Sequence, residues 1–174
     1  MPGATSNSTD PVVLAKRLAT GNTFTALFRE GMALVEATAA YLDGPGRAEA
    51  KDLDRPAALN YATESMRLTT RLMQLASWLL LQRAVNEGEL TFDQARTEKM
   101  KVKLSPFPNL DPDVVNSLPA KLVALIADSR RLHDHVLRLD ALVYGAPSEP
   151  EAMPPSNPVE TQLGLLKAAF GRQS

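Results

Sequence analysis

Between Thr23 and Asp43 apolar or small residues return at steps of three and four: Phe24, Leu27, Phe28, Gly31, Leu34, Val35, Thr38, Tyr41 and Leu42. That spacing lays them on one stripe of an α-helix and predicts a helix over residues 23–43. Gly31 sits in mid-stripe, where glycine costs about 1 kcal/mol against alanine. A close approach of a neighbouring helix is the expected compensation. DGPG, residues 43–46, stops the helix and turns the chain.

A second helix is expected from Asp54, as cap, to Glu87, with Pro56 tolerated in its first turn and Gly88 as its end. At 1.5 Å per residue it spans roughly 50 Å. Tyr61, Ser65, Leu68, Leu72, Leu75 and Leu79 alternate by three and four, and Met66, Met73, Ala76 and Leu80 widen the stripe. Around Trp78 to Leu81 the helix is apolar on almost every side, which calls for burial by more than one neighbour or by a second subunit. The stretch from Leu72 to Leu81, interrupted by Gln74 and Ser77, falls well short of the roughly 20 residues of a spanning helix. It is read as a buried segment, with no membrane insertion.

Thr91 and Gln94 have the spacing of a capping box and open a short helix to Met100. KVKLSPFPNLDPD, with three prolines, is expected to be irregular. A last long helix runs from Leu118 to Tyr144, capped by Ser117 and stopped by Gly145. Its seam, Leu122, Leu125, Ser129, Leu132, Val136, Leu139 and Val143, has coiled-coil spacing and wants a long partner helix, parallel or antiparallel.

Beyond Gly145 the proline-rich, acidic APSEPEAMPPSNP cannot build a core and reads as an extended linker. The final segment is apolar again. Val159, Leu163, Leu166 and Phe170 fall on one face of a short amphipathic helix that is marginal alone. Such a face on a tether either docks in a partner's groove or folds back on its own helices.

Composition narrows the chemistry. The chain has 174 residues, 44% of them hydrophobic, and a net charge of −1. One domain with extensions fits that length. The charge balance argues against a nucleic-acid binder, and the KMKVK cluster at 99–103 is too slight to reverse it. With no cysteine, disulfides and thiolate catalysis are excluded, which fits a reducing cytoplasm. The polar start, MPGATSNSTDPVV, lacks the features of a secretory signal.

His133 and His135, two apart on a helix, point about 200° away from each other and cannot chelate one ion. Neither is followed by the Lys and Gly of a histidine phosphotransfer domain. Glu64, Arg67, Arg71 and Gln74 form a polar strip on the second helix, read as a solvated ion-pair ladder or the rim of an interface. Ser77 and Trp78, and the Leu122–Val143 seam, are both candidates for a dimer surface. No acid–base dyad, nucleophile triad or cofactor loop is visible, so no enzyme and no cofactor are expected.

EGMALVEATAAYLDGPGR at 30–47 and YATESMRLTTRLMQLASWLLLQRAVNEGE at 61–89 closely resemble the RcdA family, regulators of CtrA degradation in alphaproteobacteria. The resemblance covers the first helix, the turn and the second helix, and fades beyond. It implies a non-enzymatic adaptor built as a dimeric three-helix bundle with a disordered C-terminal extension. Such an adaptor works with the ClpXP protease once CpdR has primed ClpX. It delivers CtrA and other cell-cycle regulators, or a further adaptor of the PopA type, and gathers transiently at a cell pole.

Pattern and resemblance together give an all-α expectation: an antiparallel three-helix bundle over 22–145, with a short extra helix between the second and third. A mobile segment, 1–21, precedes it and a flexible tail, 146–174, follows. Candidate protein-binding residues are Val159, Leu163, Leu166 and Phe170 in the tail, and Glu64, Arg67, Arg71 and Trp78 on the second helix. The alternative is a non-catalytic dimeric scaffold whose tail packs on its own bundle.

Overall fold

The structure, a computed structural model, describes residues 21–104 and 106–145. Every element among them is helical: α1 (Asn22–Asp43), α2 (Pro45–Lys51), α3 (Arg55–Asn86), α4 (Phe92–Lys99), α5 (Pro112–Ser117) and α6 (Ala120–Tyr144). The expectations for 1–20 and for 146–174, including the tail helix, lie outside the described residues.

Local chemistry explains most boundaries. Asp54 caps α3, its Oδ1 accepting from Ala57 N at 2.9 Å. Thr91 and Gln94 form both halves of the capping box of α4. Gly145 ends α6 at φ 86°, the left-handed region that favours glycine. Two short helices replace expected turns. DGPG does not merely turn the chain, because Pro45 occupies the first turn of a new helix, α2. Asp111 and Pro112 do the same for α5. Ser117 is therefore the last residue of α5 and not the cap of α6. Its Oγ donates to Val114 O at 2.7 Å and accepts from Asn60 Nδ2 at 3.0 Å.

The three long helices α1, α3 and α6 each pack against the other two. Phe24, Leu34, Leu68, Leu75, Leu79, Leu125, Leu132 and Val136 lie in their shared core. At Gly31, α1 lies close against both α3 and α6. A methyl group there would lie 2.5 Å from Leu79 Cδ1 and 3.6 Å from Leu132 Cδ2. The expected close approach is present.

The directions of the helices differ from a simple antiparallel arrangement. Pairs between α3 and α6 rise together along both chains: Arg71 with Ser129, Trp78 with Asp140, Gln82 with Tyr144. These helices are parallel. Helix α1 opposes α3, since Phe24 meets Trp78 while Leu42 and Leu72 share a groove. The antiparallel expectation is thus corrected for the α3–α6 pair, which is possible because the described residues between them, 87–104 and 106–119, return along the length of the molecule. Phe92 stacks on Tyr144, Lys99 pairs with Asp140, Phe107 meets His133, and Asn60 reaches Ser117. The seam of α6 has found its partner helix inside the same chain.

Candidate protein-binding surface

Helix α3 carries two buried stripes and one exposed one. Along the stripe Glu64, Leu68, Arg71, Leu75, Trp78 and Gln82, steps of three and four continue through polar side chains, and all six are buried. Trp78 is 1% exposed, Arg71 2% and Glu64 4%. These three are therefore interior residues of the folded chain, and the solvated ladder expected here is confined to its outer member, Arg67. That side chain reaches over to Glu64, Nη1 to Oε1, at 2.7 Å. The seam of α6 is likewise interior: Leu122, Leu125, Ser129, Leu132, Val136 and Leu139 are all buried.

Polar partners account for the burial. Arg71 Nη1 donates to Ser129 Oγ at 2.7 Å, and the Ser129 hydroxyl in turn donates to Ile126 O at 2.7 Å. Trp78 Nε1 donates to Asp140 Oδ1 at 2.7 Å, while Lys99 Nζ pairs with Asp140 Oδ2 at 2.8 Å. Tyr144 OH donates to Gln82 Oε1 at 3.1 Å. Burial, and then the Asp140 carboxylate, push the Tyr144 phenol up to about 12. These bonds fix the register of α3 against α6 and tie the returning chain to both. His133 is buried edge-on to Phe107, and His135 faces solvent. Among the described residues no group of three or more His, Asp or Glu is placed to hold a metal. No described helix is long and apolar enough to cross a membrane.

The exposed stripe lies on the outer side of α3. Leu59 (68% exposed), Met66 (72%), Met73 (66%) and Leu80 (52%) recur every seventh residue. Met66, Met73 and Leu80 do not widen the buried face, as their spacing suggested. They face out. Small residues separate them: Ala62, Thr69, Thr70, Ala76 and Ser77. The hydroxyls of Thr69, Thr70 and Ser77 donate to carbonyls four residues back, at 2.9, 3.0 and 2.8 Å. Their protons are used inside the helix, which leaves the strip poor in free donors. Beside it, Val35, Ala39, Leu42, Leu72, Met73 and Ala76 line an apolar groove of about 300 Å³ between α1 and α3. The signal for this face was in the sequence as a heptad of Leu and Met, masked because the same residues also extend an amphipathic stripe. Val159, Leu163, Leu166 and Phe170 lie outside the described residues.

The family model described as "Protein of unknown function (DUF1465)" matches residues 15–170, including those four tail positions. Among solved structures, RcdA from Caulobacter crescentus CB15 is similar at 49% sequence identity and a TM-score of 0.61. The match covers 72% of this chain and 94% of that one. No curated protein sequence matches.

Proposed function

Because this chain belongs to the RcdA family, the DUF1465 family of the matching model, we propose that it is an adaptor for regulated proteolysis by ClpXP. The observation that carries the reading is the 49% identity extending over 94% of RcdA. In this reading the chain performs no catalysis. It joins ClpX that CpdR has primed and brings either a cargo such as CtrA or a second adaptor of the PopA type. It acts in the cytoplasm and gathers transiently at a cell pole.

The work divides between two parts. The helical core, a three-helix bundle closed by the returning segment, presents the surface that holds partners. The tail supplies a tether ending in Val159, Leu163, Leu166 and Phe170, which dock on a protein surface as one helical face. A tether of this kind raises effective concentration to roughly the millimolar range without strong contacts. That the family model runs to residue 170 supports a tail belonging to the working unit. Arg67, exposed beside the outer stripe, is the member of the polar strip available to a partner. We also assign the Leu59, Met66, Met73 and Leu80 face to a second copy of this chain. A heptad of large apolar residues separated by small ones is the pattern of a helix–helix seam.

Reconstituted degradation tests the adaptor reading: ClpXP, CpdR and a candidate cargo, with and without this protein. Faster cargo loss that needs residues 146–174 is expected. Equal turnover with and without the full chain would overturn the reading. Undiminished delivery by the truncated chain would leave the tail as a cover for its own groove, as the scaffold reading holds.

A further inference from the structure

About 200° around α3 from Met73, the returning segment crosses α3 and α6 and encloses a polar pocket of about 280 Å³. Two guanidinium groups share it. Arg71, almost wholly buried, gives Nη1 to Ser129 and lays its guanidinium 4.2 Å above the Phe107 ring. Arg130 donates Nη1 to Asn109 Oδ1 at 3.2 Å and Nη2 to the Pro108 carbonyl. The Nε atoms of both arginines are buried and without a hydrogen-bond partner.

Neither cation has a counter-ion among the described residues. No carboxylate lies within 4.0 Å of Arg71 or Arg130, and every acceptor they do reach is neutral. Glu64, the carboxylate nearest in effect to Arg71, is engaged by Arg67. Asp134 lines the pocket, but its side chain is 67% exposed and lies 4.0 Å from His133 Nδ1. Buried charges are ordinarily paired. Here burial and then the neighbouring Arg130 depress Arg71 to about 10, the direction an unpaired cation takes. A core that needed only volume at this position would be served by a neutral side chain.

We infer that the pocket bounded by Arg71, Phe107, Asn109 and Arg130 is a binding site for a small oxyanion ligand, carrying a phosphoryl or a carboxylate group. The ligand's oxygens accept from guanidinium N–H groups of Arg71 and Arg130 that no protein acceptor uses. Arginine suits both groups, whose oxygens match its fork of donors. The pocket is larger than one phosphate requires, and Phe107 and Leu137 offer an apolar wall for the remainder of a small molecule. Occupancy ties the returning segment to α3 and α6 at once, because Asn109 and Phe107 belong to the former. The inference does not rest on the adaptor reading.

The test is nuclear magnetic resonance on the full chain, following the Nε–H signals of Arg71 and Arg130 and the Phe107 amide. Sodium phosphate and sodium acetate are titrated separately, against sodium chloride at matched ionic strength. The expected result is a saturable shift of these signals with one or both oxyanions and none with chloride. Saturation by phosphate alone assigns a phosphoryl ligand; saturation by acetate assigns a carboxylate. Arg130→Gln, at a half-buried position, should weaken the binding at least about tenfold while the melting curve is retained. Asn109→Ala, which leaves both guanidiniums, should bind with less than that loss. The absence of saturation by either oxyanion into the tens of millimolar, equal shifts with chloride, or undiminished binding by a folded Arg130→Gln chain would each overturn it.

Discussion

Asp140 shows how one buried side chain organises its neighbours. It accepts from Trp78 and pairs with Lys99, whose ammonium also lies 4.5 Å from the centre of the Tyr144 ring. Tyr144 in turn is held protonated, its phenol raised from 10.0 to about 12 by burial and by Asp140. The sign follows directly. A group with a raised native value contributes stability that is complete below its unfolded value and lost as pH rises toward the native one. Stability should therefore fall between pH 10.0 and about 12, with Tyr144 accounting for about 2 kcal/mol of the fall. Tyr144→Phe should melt less steeply with pH across that window. It should also cost about 1 kcal/mol at neutral pH through the lost bond to Gln82. Denaturant melts at a series of pH values check both; parallel curves for the two chains would refute the assignment. Tyr41 and Tyr61, also raised by burial, keep their own share of the alkaline loss.

At the scale of elements, Gly31 decides how closely α1 can lie on α3 and α6. Alanine there gains about 1 kcal/mol of helix propensity. Its methyl group, however, meets Cδ1 of the wholly buried Leu79 at 2.5 Å, so one of the two must shift within the core. Gly31→Ala should therefore destabilise the fold by about 1 kcal/mol net, since overpacking costs typically 1–3 kcal/mol. A raised melting temperature would show instead that α1 shifts freely. This close approach was legible from a glycine in mid-stripe, as were the Asp54 cap, the Thr91–Gln94 box and the Gly145 stop. The parallel course of α3 and α6 was not, because a three-four seam looks the same for either direction. What distinguished the two was the length of the connection. Residues 87–119 far exceed the roughly 2–8 residues that join antiparallel neighbours. The interior places of Arg71 and Trp78 were hidden for another reason. A polar residue or an indole on a helix reads as surface or interface until its partner is known, and the partners, Ser129 and Asp140, lie on a helix far along the chain.

For the whole molecule, the fold leaves one long apolar seam uncovered while it satisfies the other. The α6 seam is closed by α3. The Leu59, Met66, Met73 and Leu80 stripe faces solvent in the single chain. Covering such residues is favourable by roughly 1.5–3 kcal/mol each when burial is complete, so two central methionines carry much of any association across this face. Met66→Glu combined with Met73→Glu removes that gain and sets like charges opposite each other at the seam. The dissociation constant of the proposed dimer should rise by about a hundredfold or more, read by sedimentation or light scattering across a concentration series. The same variant should fold as well as the parent in its helical signal, because both side chains already lie outside the core. A variant that stays dimeric at the parent's concentration would move the interface off α3 altogether. Loss of helical signal would show that the two methionines serve the fold. In the proposed dimer, the polar pocket under the returning segment remains accessible only where it lies away from α3's outer face. The pocket meets that condition, since its α3 residue, Arg71, leaves the helix about 200° around from Met73.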